Sequence, residues 1–230
     1  VASRGLGMCI RDSFNRAWIP GTPQREFAER LNFSHKEISE GFYCADPVPF
    51  HRIWDERGVQ PPNKKLLFVG RYLPFKGVQE LCAAFINLAD NHPEWELHCI
   101  GTGAMWKDRA IHPKIIHHGF VQPDKLQNHI VDAAAFVMPS IKEPWGVVLH
   151  EMAIAGLPIL CSNRVGAASR FLKTGMNGFC LEPTEEGIQK ALLKLYNAPK
   201  SKLKEFGERS RELGTSETPE RWVHTLKSLL

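Results

Sequence analysis

The stretch Ala134-Ala-Phe-Val-Met-Pro-Ser-Ile-Lys-Glu143-Pro-Trp-Gly-Val-Val-Leu-His-Glu151-Met-Ala-Ile-Ala-Gly156-Leu-Pro-Ile-Leu-Cys161 decides the fold. It opens with a short apolar run, 134–139, that ends in proline. A polar turn follows, and from Val147 an apolar segment of helical length is closed by Gly156-Leu-Pro158. A second apolar run, 157–161, comes next. Continuous apolar runs of this length are strands covered on both faces. Two such strands joined through a helix lie parallel in one sheet.

The same unit repeats on either side. Lys65-Leu-Leu-Phe-Val-Gly70 reads as a buried strand, and 78–91 as a helix carrying Leu81, Phe85 and Leu88 on one face. Trp95 to Gly101 and Lys114 to Gly119 read as further strands, and a helix capped by Asp124 runs to about Val131. Asn177 to Leu181 is a sixth strand. The tail from Thr184 to Leu230 is helical, broken near Ala198-Pro199 and near 214–218. A βαβα series of this kind is an α/β doubly wound parallel sheet with helices on both faces. In such sheets ligands sit beyond the carboxyl ends of the strands. The loops at Gly70-Arg71, Gly101 to Gly103, Gly119 to Val121 and Pro139 to Gly146 all fall there.

Residues 1–63 break the pattern. Ala17 to Pro20 reads as a strand, Pro23 to Leu31 as a helix begun at Thr22, and Glu37 to Tyr43 as a strand. Asp46-Pro-Val-Pro49 and Gln60-Pro-Pro-Asn63 punctuate a linker. One β-α-β unit is too little for a sheet of its own, so the segment reads as the tail of a preceding domain.

Within the deciding stretch, Glu143 and Glu151 stand eight positions apart. Pro144 holds Glu143 extended, and Gly146 lets the chain turn sharply. A helix entered at Val147 offers free N–H groups and the positive end of its dipole. Glu143 hangs over that end and Glu151 flanks it. The arrangement suits a ligand with phosphate in its middle and hydroxyl groups at both ends, such as a nucleotide sugar. It is equally compatible, taken alone, with two unrelated carboxylates.

Composition narrows the classes. A chain of 230 residues with 43% hydrophobic content can bury a real core. A net charge of +4 without a basic run argues against a nucleic-acid binder. No apolar stretch approaches the roughly 20 residues of a membrane span. Six scattered cysteines, Cys9, Cys44, Cys82, Cys99, Cys161 and Cys180, lack CxxC spacing and read as free thiols in a reducing cytoplasm. His117 and His118 are adjacent on a strand and point to opposite faces, so no metal is expected there.

Gly70-Arg-Tyr-Leu-Pro-Phe-Lys-Gly77 is not a P-loop, because Gly follows the lysine and the spacing differs. On its own it reads as two solvated loop cations, Arg71 and Lys76. Two cations on one constrained loop also bind a diphosphate well. Gly101-Thr-Gly103 begins like a dinucleotide fingerprint but places Trp106 where the third glycine belongs, which argues against a nicotinamide or flavin enzyme. The sequence contains no Asp-x-Asp, so no metal-bridged diphosphate site of that type is expected.

The ordered set of Gly-Arg-x(4)-Lys-Gly after a strand, Gly101-x-Gly103, His118-Gly-Phe-Val121, Pro139-Ser140, Glu143-x(7)-Glu151, Gly156-Leu-Pro-Ile159 and Asn177-Gly-Phe179 resembles a known family. It is the retaining glycosyltransferases of family 4 (glycosyl transferases group 1), with the GT-B fold, and specifically their carboxyl-terminal donor-binding half. The resemblance covers 64–230 well, and 13–50 resemble the end of the family's amino-terminal domain. It implies that 1–50 are a remnant of the acceptor-side domain and 51–63 a linker. It makes 64–214 the Rossmann-like nucleotide-sugar-binding domain and 215–230 a C-terminal crossing helix.

The resemblance also implies roles. Arg71 and Lys76, with the loop at Gly70, hold the donor diphosphate and stabilise it as leaving group in place of a metal. Amides of Gly146, Val147 and Val148 add to this, beside Trp145. Glu151 binds the ribose hydroxyls. Glu143 binds the transferred sugar and faces the charge developing at its anomeric carbon. Gly101, Thr102, Gly103, Phe120 and Val121 line the base. The donor is a nucleotide-diphosphate sugar, the acceptor a glycan or glycolipid, and no separate cofactor is implied. The full protein is expected in the cytoplasm, with room for peripheral association at the membrane's cytoplasmic face. Two other readings stay open: a donor-binding module that needs a partner chain, and a GT-B sugar-nucleotide epimerase.

Overall fold

The computed structural model describes residues 13–58 and 63–230. The start of the 1–50 segment, with Cys9, and the Gln60-Pro-Pro part of the linker lie outside the described residues. The chain opens with β1 (Ala17–Ile19), α1 (Thr22–Arg30) and β2 (Ile38–Glu40). β1 and β2 pair in parallel, Ala17 opposite Ile38, as a two-stranded sheet of their own over a small core of Ile19, Ala28, Phe33 and Ile38. The unit therefore does form a sheet, contrary to expectation. The second strand is shorter than 37–43, because His35–Glu37 is a 3-10 turn closed by a capping box between Ser34 and Glu37. Past Glu40 the pairing fades to a single bond from the Phe42 amide to the Ile19 carbonyl, 3.1 Å.

The expected linker is largely a helix, α2 (Pro47–Arg57). The prolines that read as breakers sit in its first turn, where Pro47 needs no N–H partner and its fixed φ already fits. Asp46 caps it by accepting from the Val48 amide at 3.0 Å. Ile53 is buried, and the Arg57 guanidinium donates to the carbonyls of Ile130 and Ala133, 2.7 Å each.

The main body is a six-stranded sheet. Its elements are β3 (Lys65–Val69), α3 (Val78–Ala89), β4 (Glu96–Ile100), β5 (Ile115–Gly119), α4 (Pro123–Val131), β6 (Ala135–Met138), α5 (Val147–Ile154) and β7 (Ile159–Ser162). The short α6 (Ala168–Phe171), then β8 (Gly178–Leu181), α7 (Glu185–Tyr196), α8 (Lys200–Thr215) and α9 (Pro219–Leu229) complete it. Every strand pair is parallel, in the order β5-β4-β3-β6-β7-β8. Gln122, not Asp124, occupies the cap position of α4; Pro123 takes the first helical position and pushes Asp124 into the first turn.

Two apolar layers sandwich the sheet. One packs α3 and α7 on Leu66, Phe68, Leu97 and Val137. The other packs α5 and α2 on Leu67, Phe136 and Ile159. Leu149 and Met152 of α5 are wholly buried, which stabilises by about 1.5–3 kcal/mol per side chain. Cys44, Cys82, Cys99, Cys161 and Cys180 are free. Among the described residues no helix is long and apolar enough to cross a membrane.

α9 returns to the opening segment. The Trp222 indole donates from Nε1 to the Phe42 carbonyl at 2.8 Å, and its ring lies 4.8 Å from Trp18. Buried Glu217 pairs with Arg170 at 2.9 Å.

Candidate functional site

Strand order reverses direction between β3 and β6, the point where doubly wound sheets leave a crevice. A cleft of about 640 Å³ occupies that position. One wall is the loop after β3 with Gly70 and Lys76. The floor is the loop after β6, with Ser140 and Glu143, leading into α5. Pro20, Gln24 and Tyr43 of the opening segment form the remaining side.

The acidic loop is fixed by main-chain bonds on both flanks. The Ile141 amide donates to the Phe75 carbonyl at 2.9 Å, the Glu143 amide to Arg164 at 3.2 Å, and the Gly166 amide back to Glu143 at 3.0 Å. From the opening segment, Gln24 Nε2 donates to the Pro144 carbonyl at 2.6 Å. Gly146 turns the chain into α5 at φ +96°, and a Cβ there meets the Met138 methyl at 2.7 Å, so both conformation and space require glycine. Val147 and Val148, in the first turn of α5, line the cleft.

Lys76 and Glu143 form an ion pair across the cleft, with side chains only 16% and 15% exposed. Glu151 is different. Its half-buried carboxylate has no hydrogen-bond or ion-pair partner among the described residues, and burial alone pushes its pKa up. An unpartnered carboxylate held in a cleft is a receptor for hydroxyl donors. Among the described residues the buried Ser140 Oγ has no partner, and neither has Gln24 Oε1. Sequence reasoning quoted Pro139-Ser140 only as a motif; unmet hydrogen bonding is a three-dimensional property with no sequence signal.

Gly70, Lys76, Glu143, Trp145, Gly146, Val147, Val148 and Glu151 therefore share one cleft. Arg71 does not line it; its side chain is exposed and makes no hydrogen bond or ion pair among the described residues. Trp145 is 4% exposed and serves packing as much as lining, with its ring 6.3 Å from Tyr43 and 6.4 Å from Phe171. Gly101, Thr102, Gly103, Phe120 and Val121 also stand outside the lining. Gly101 and Gly103 have a packing reason: a Cβ on either would strike the Gly70 or Tyr72 carbonyl, at 2.0 and 2.5 Å. They let the second loop run against the first, where the Tyr72 amide donates to Thr102 at 2.9 Å. Phe120 is an open aromatic, 67% exposed.

The model of the family "Glycosyl transferases group 1" matches residues 52–213. The chain belongs to that family. A glycosyltransferase of Methanocaldococcus jannaschii is 31% identical over 144 residues, 56% of this chain and 36% of that protein. A Mycobacterium tuberculosis glycogen synthase is 31% identical over 143 residues, 59% and 34%. The chain thus spans about a third of the length of these curated relatives. Among solved structures, a TarM variant from S. aureus in complex with fondaparinux, α-GlcNAc-glycerol and UDP superposes with a TM-score of 0.75 at 18% identity, covering 95% of this chain and 44% of that one. The C-terminal domain of a group 1 glycosyl transferase (LpcC) from Francisella tularensis gives 0.58 at 22% identity, covering 77% and 95%. At these identities the likeness establishes the fold. The six-stranded body of this glycosyltransferase family member is a Rossmann-like GT-B domain.

Proposed function

We propose that this chain is the donor-binding part of a glycosyltransferase that transfers a sugar, with retention, from a nucleotide-diphosphate sugar to a glycan or glycolipid acceptor. The observation that carries the reading is the grouping of an ion-paired lysine, an unpartnered carboxylate and a helix start in one cleft at the switch point of the sheet. A UDP complex of the TarM fold relative supports a nucleoside diphosphate as the shared ligand.

In this reading the diphosphate lies over the start of α5. Lys76 and the amides of Gly146, Val147 and Val148 face it, and exposed Arg71 closes on it from outside. When the bond from the anomeric carbon to the diphosphate breaks, its electron pair goes to the phosphate oxygen. Fixed donors that strengthen as that charge grows lower the barrier. Glu143, held by its backbone and by Lys76, faces the sugar and the positive charge at its anomeric carbon. Glu151 takes the ribose hydroxyls. The base extends towards the Gly101–Gly103 loop and Phe120, outside the cleft proper. No metal is needed at the diphosphate. The opening segment 13–50 belongs to the acceptor-side domain, and transfer requires an acceptor positioned opposite the donor.

A thermal-shift panel of UDP-, GDP- and ADP-sugars tests the reading. One nucleotide family should raise the Tm at concentrations where the free sugar does not. A flat response across all three would remove donor binding. A transfer assay with radiolabelled sugar then separates binding from turnover, and product analysis without acceptor separates transfer from epimerisation.

A further inference from the structure

β4, β5 and α4 each direct one histidine to a common spot. One ring nitrogen from each of His98, His118 and His129 lies within 4.8 Å of the other two. His98 Nδ1 is 2.9 Å from His118 Nε2, and the rings of His118 and His129 are 4.3 Å apart. The other nitrogen of His98, Nε2, lies 3.2 Å from Glu96 Oε2. All three are half-buried, and none lines the donor cleft. His117, next in sequence, points the other way: it accepts from the Tyr72 hydroxyl at Nδ1 and donates from Nε2 to the Ala110 carbonyl, 2.7 Å each.

We propose that His98, His118 and His129 bind a divalent transition metal ion of the zinc class, with water in the fourth position. Imidazole suits zinc, copper and nickel, and three neutral imidazoles with an open site form a known type of zinc ligand set. The 2.9 Å contact requires one of His98 and His118 to donate and the other to accept. With Nε2–H of His98 donating to Glu96, its Nδ1 is the acceptor and the proton lies on His118 Nε2. The ion takes that proton's place, and His118 shifts to its Nδ1–H tautomer. Nitrogens around tetrahedral zinc stand about 3.3 Å apart, given Zn–N bonds of about 2.0–2.1 Å. His98 and His118 are close to that spacing, and rotation of His129 completes it. Glu96 behind His98 is the carboxylate that orients metal-bound histidines elsewhere. Lys65 opposes the ion, but its ammonium is offset by Asp132 at 3.7 Å.

The edge strand β5 is thereby tied to β4 and α4 by a site the sequence did not offer, since its ligands are 20 and 11 residues apart. The role is structural and independent of the donor reading. Calorimetric titration of the metal-free chain with Zn²⁺ at neutral pH tests it. One ion per chain and a raised Tm are expected. Glu96→Gln should weaken binding by about tenfold, and His118→Ala and His129→Ala, which each remove a ligand outright, by more. His224→Ala, on an exposed face of α9, should leave it unchanged. Should the ligand variants fail to fold, imidazole nitrogen resonances of the wild-type chain decide: those of the three histidines must move with Zn²⁺ and the others stay. Absence of uptake at tenfold excess Zn²⁺, equal affinity in the His118→Ala and His224→Ala chains, or shifts at other histidines would overturn the site.

Discussion

At the scale of single residues, Lys76 and Arg71 are no longer equivalent. Lys76 lines the cleft and Arg71 is exposed. Lys76→Ala should weaken nucleoside-diphosphate binding by about 1.5–3 kcal/mol, the scale of hydrogen bonds to charged groups. Arg71→Ala should cost less and lose its effect in high salt, because exposed charges are screened within about 8–10 Å. Calorimetric Kd values at two salt concentrations check both. Glu151 sets affinity against stability. Its raised pKa means that ionisation costs the fold, a penalty that grows as pH rises from the unfolded carboxylate's range to the raised folded value and is complete above it. Glu151→Gln should therefore raise the Tm at neutral pH, where the half-buried carboxylate is ionised. It should also weaken binding of nucleotide and nucleotide sugar alike. Glu143→Gln should spare the bare nucleotide and weaken the nucleotide sugar. Equal loss in both variants would move the sugar away from Glu143. The pair was legible in sequence because a turn and a helix have fixed spacing. The isolation of Glu151 was not, since it depends on what stands across the cleft.

Among the elements, α5 is held by His150, which carries no sequence signal beyond its place in an apolar helix. His150 is buried, accepts from the Ala45 amide at Nδ1 (3.1 Å) and donates from Nε2 to the Gly214 carbonyl (2.8 Å). Its ring stacks on Phe171 at 4.2 Å. One imidazole thus joins α5 to the opening segment and to α8. Burial pulls its pKa down to about 4. A lowered folded pKa leaves this neutral tie intact above the unfolded value of about 6.5. Its contribution is lost as pH falls from there towards 4, where protonation would set an N–H against the Ala45 amide. His150→Ala should cost about 2–4 kcal/mol through the cavity and two unmet backbone groups. It should also flatten the acid limb of a Tm-against-pH curve; an unchanged limb would leave that limb to other groups with lowered values, among them His98, His117, His118 and His129 and the carboxylates of Glu94, Glu186 and Glu220. Strands and helices with strong periodicity were placed within a residue or two. The miss was α2, where Pro47 and Pro49 read as linker punctuation, although at a helix start proline is favoured.

On the scale of the whole molecule, the parallel sheet puts every suggestive loop on one edge, and the strand reversal between β3 and β6 selects which loops converge. The opening β-α-β unit is tied down through Gln24, the Ala45 amide and Trp222, and it walls the cleft with Pro20, Gln24 and Tyr43. That wall was invisible in sequence, because nothing in 13–50 marks which surface faces 140–151. In the proposed function this cleft binds a nucleoside diphosphate through Lys76 and the start of α5, without a metal at the phosphates. The most direct measurement is a calorimetric titration with UDP, or with GDP or ADP if the thermal-shift panel favours it, with and without EDTA, for the wild-type and Lys76→Ala chains. One site per wild-type chain, an affinity unchanged by EDTA, and a loss of about 1.5–3 kcal/mol in Lys76→Ala are expected. No binding by the wild-type chain, binding abolished by EDTA, or equal affinity of the two chains would contradict the proposed function.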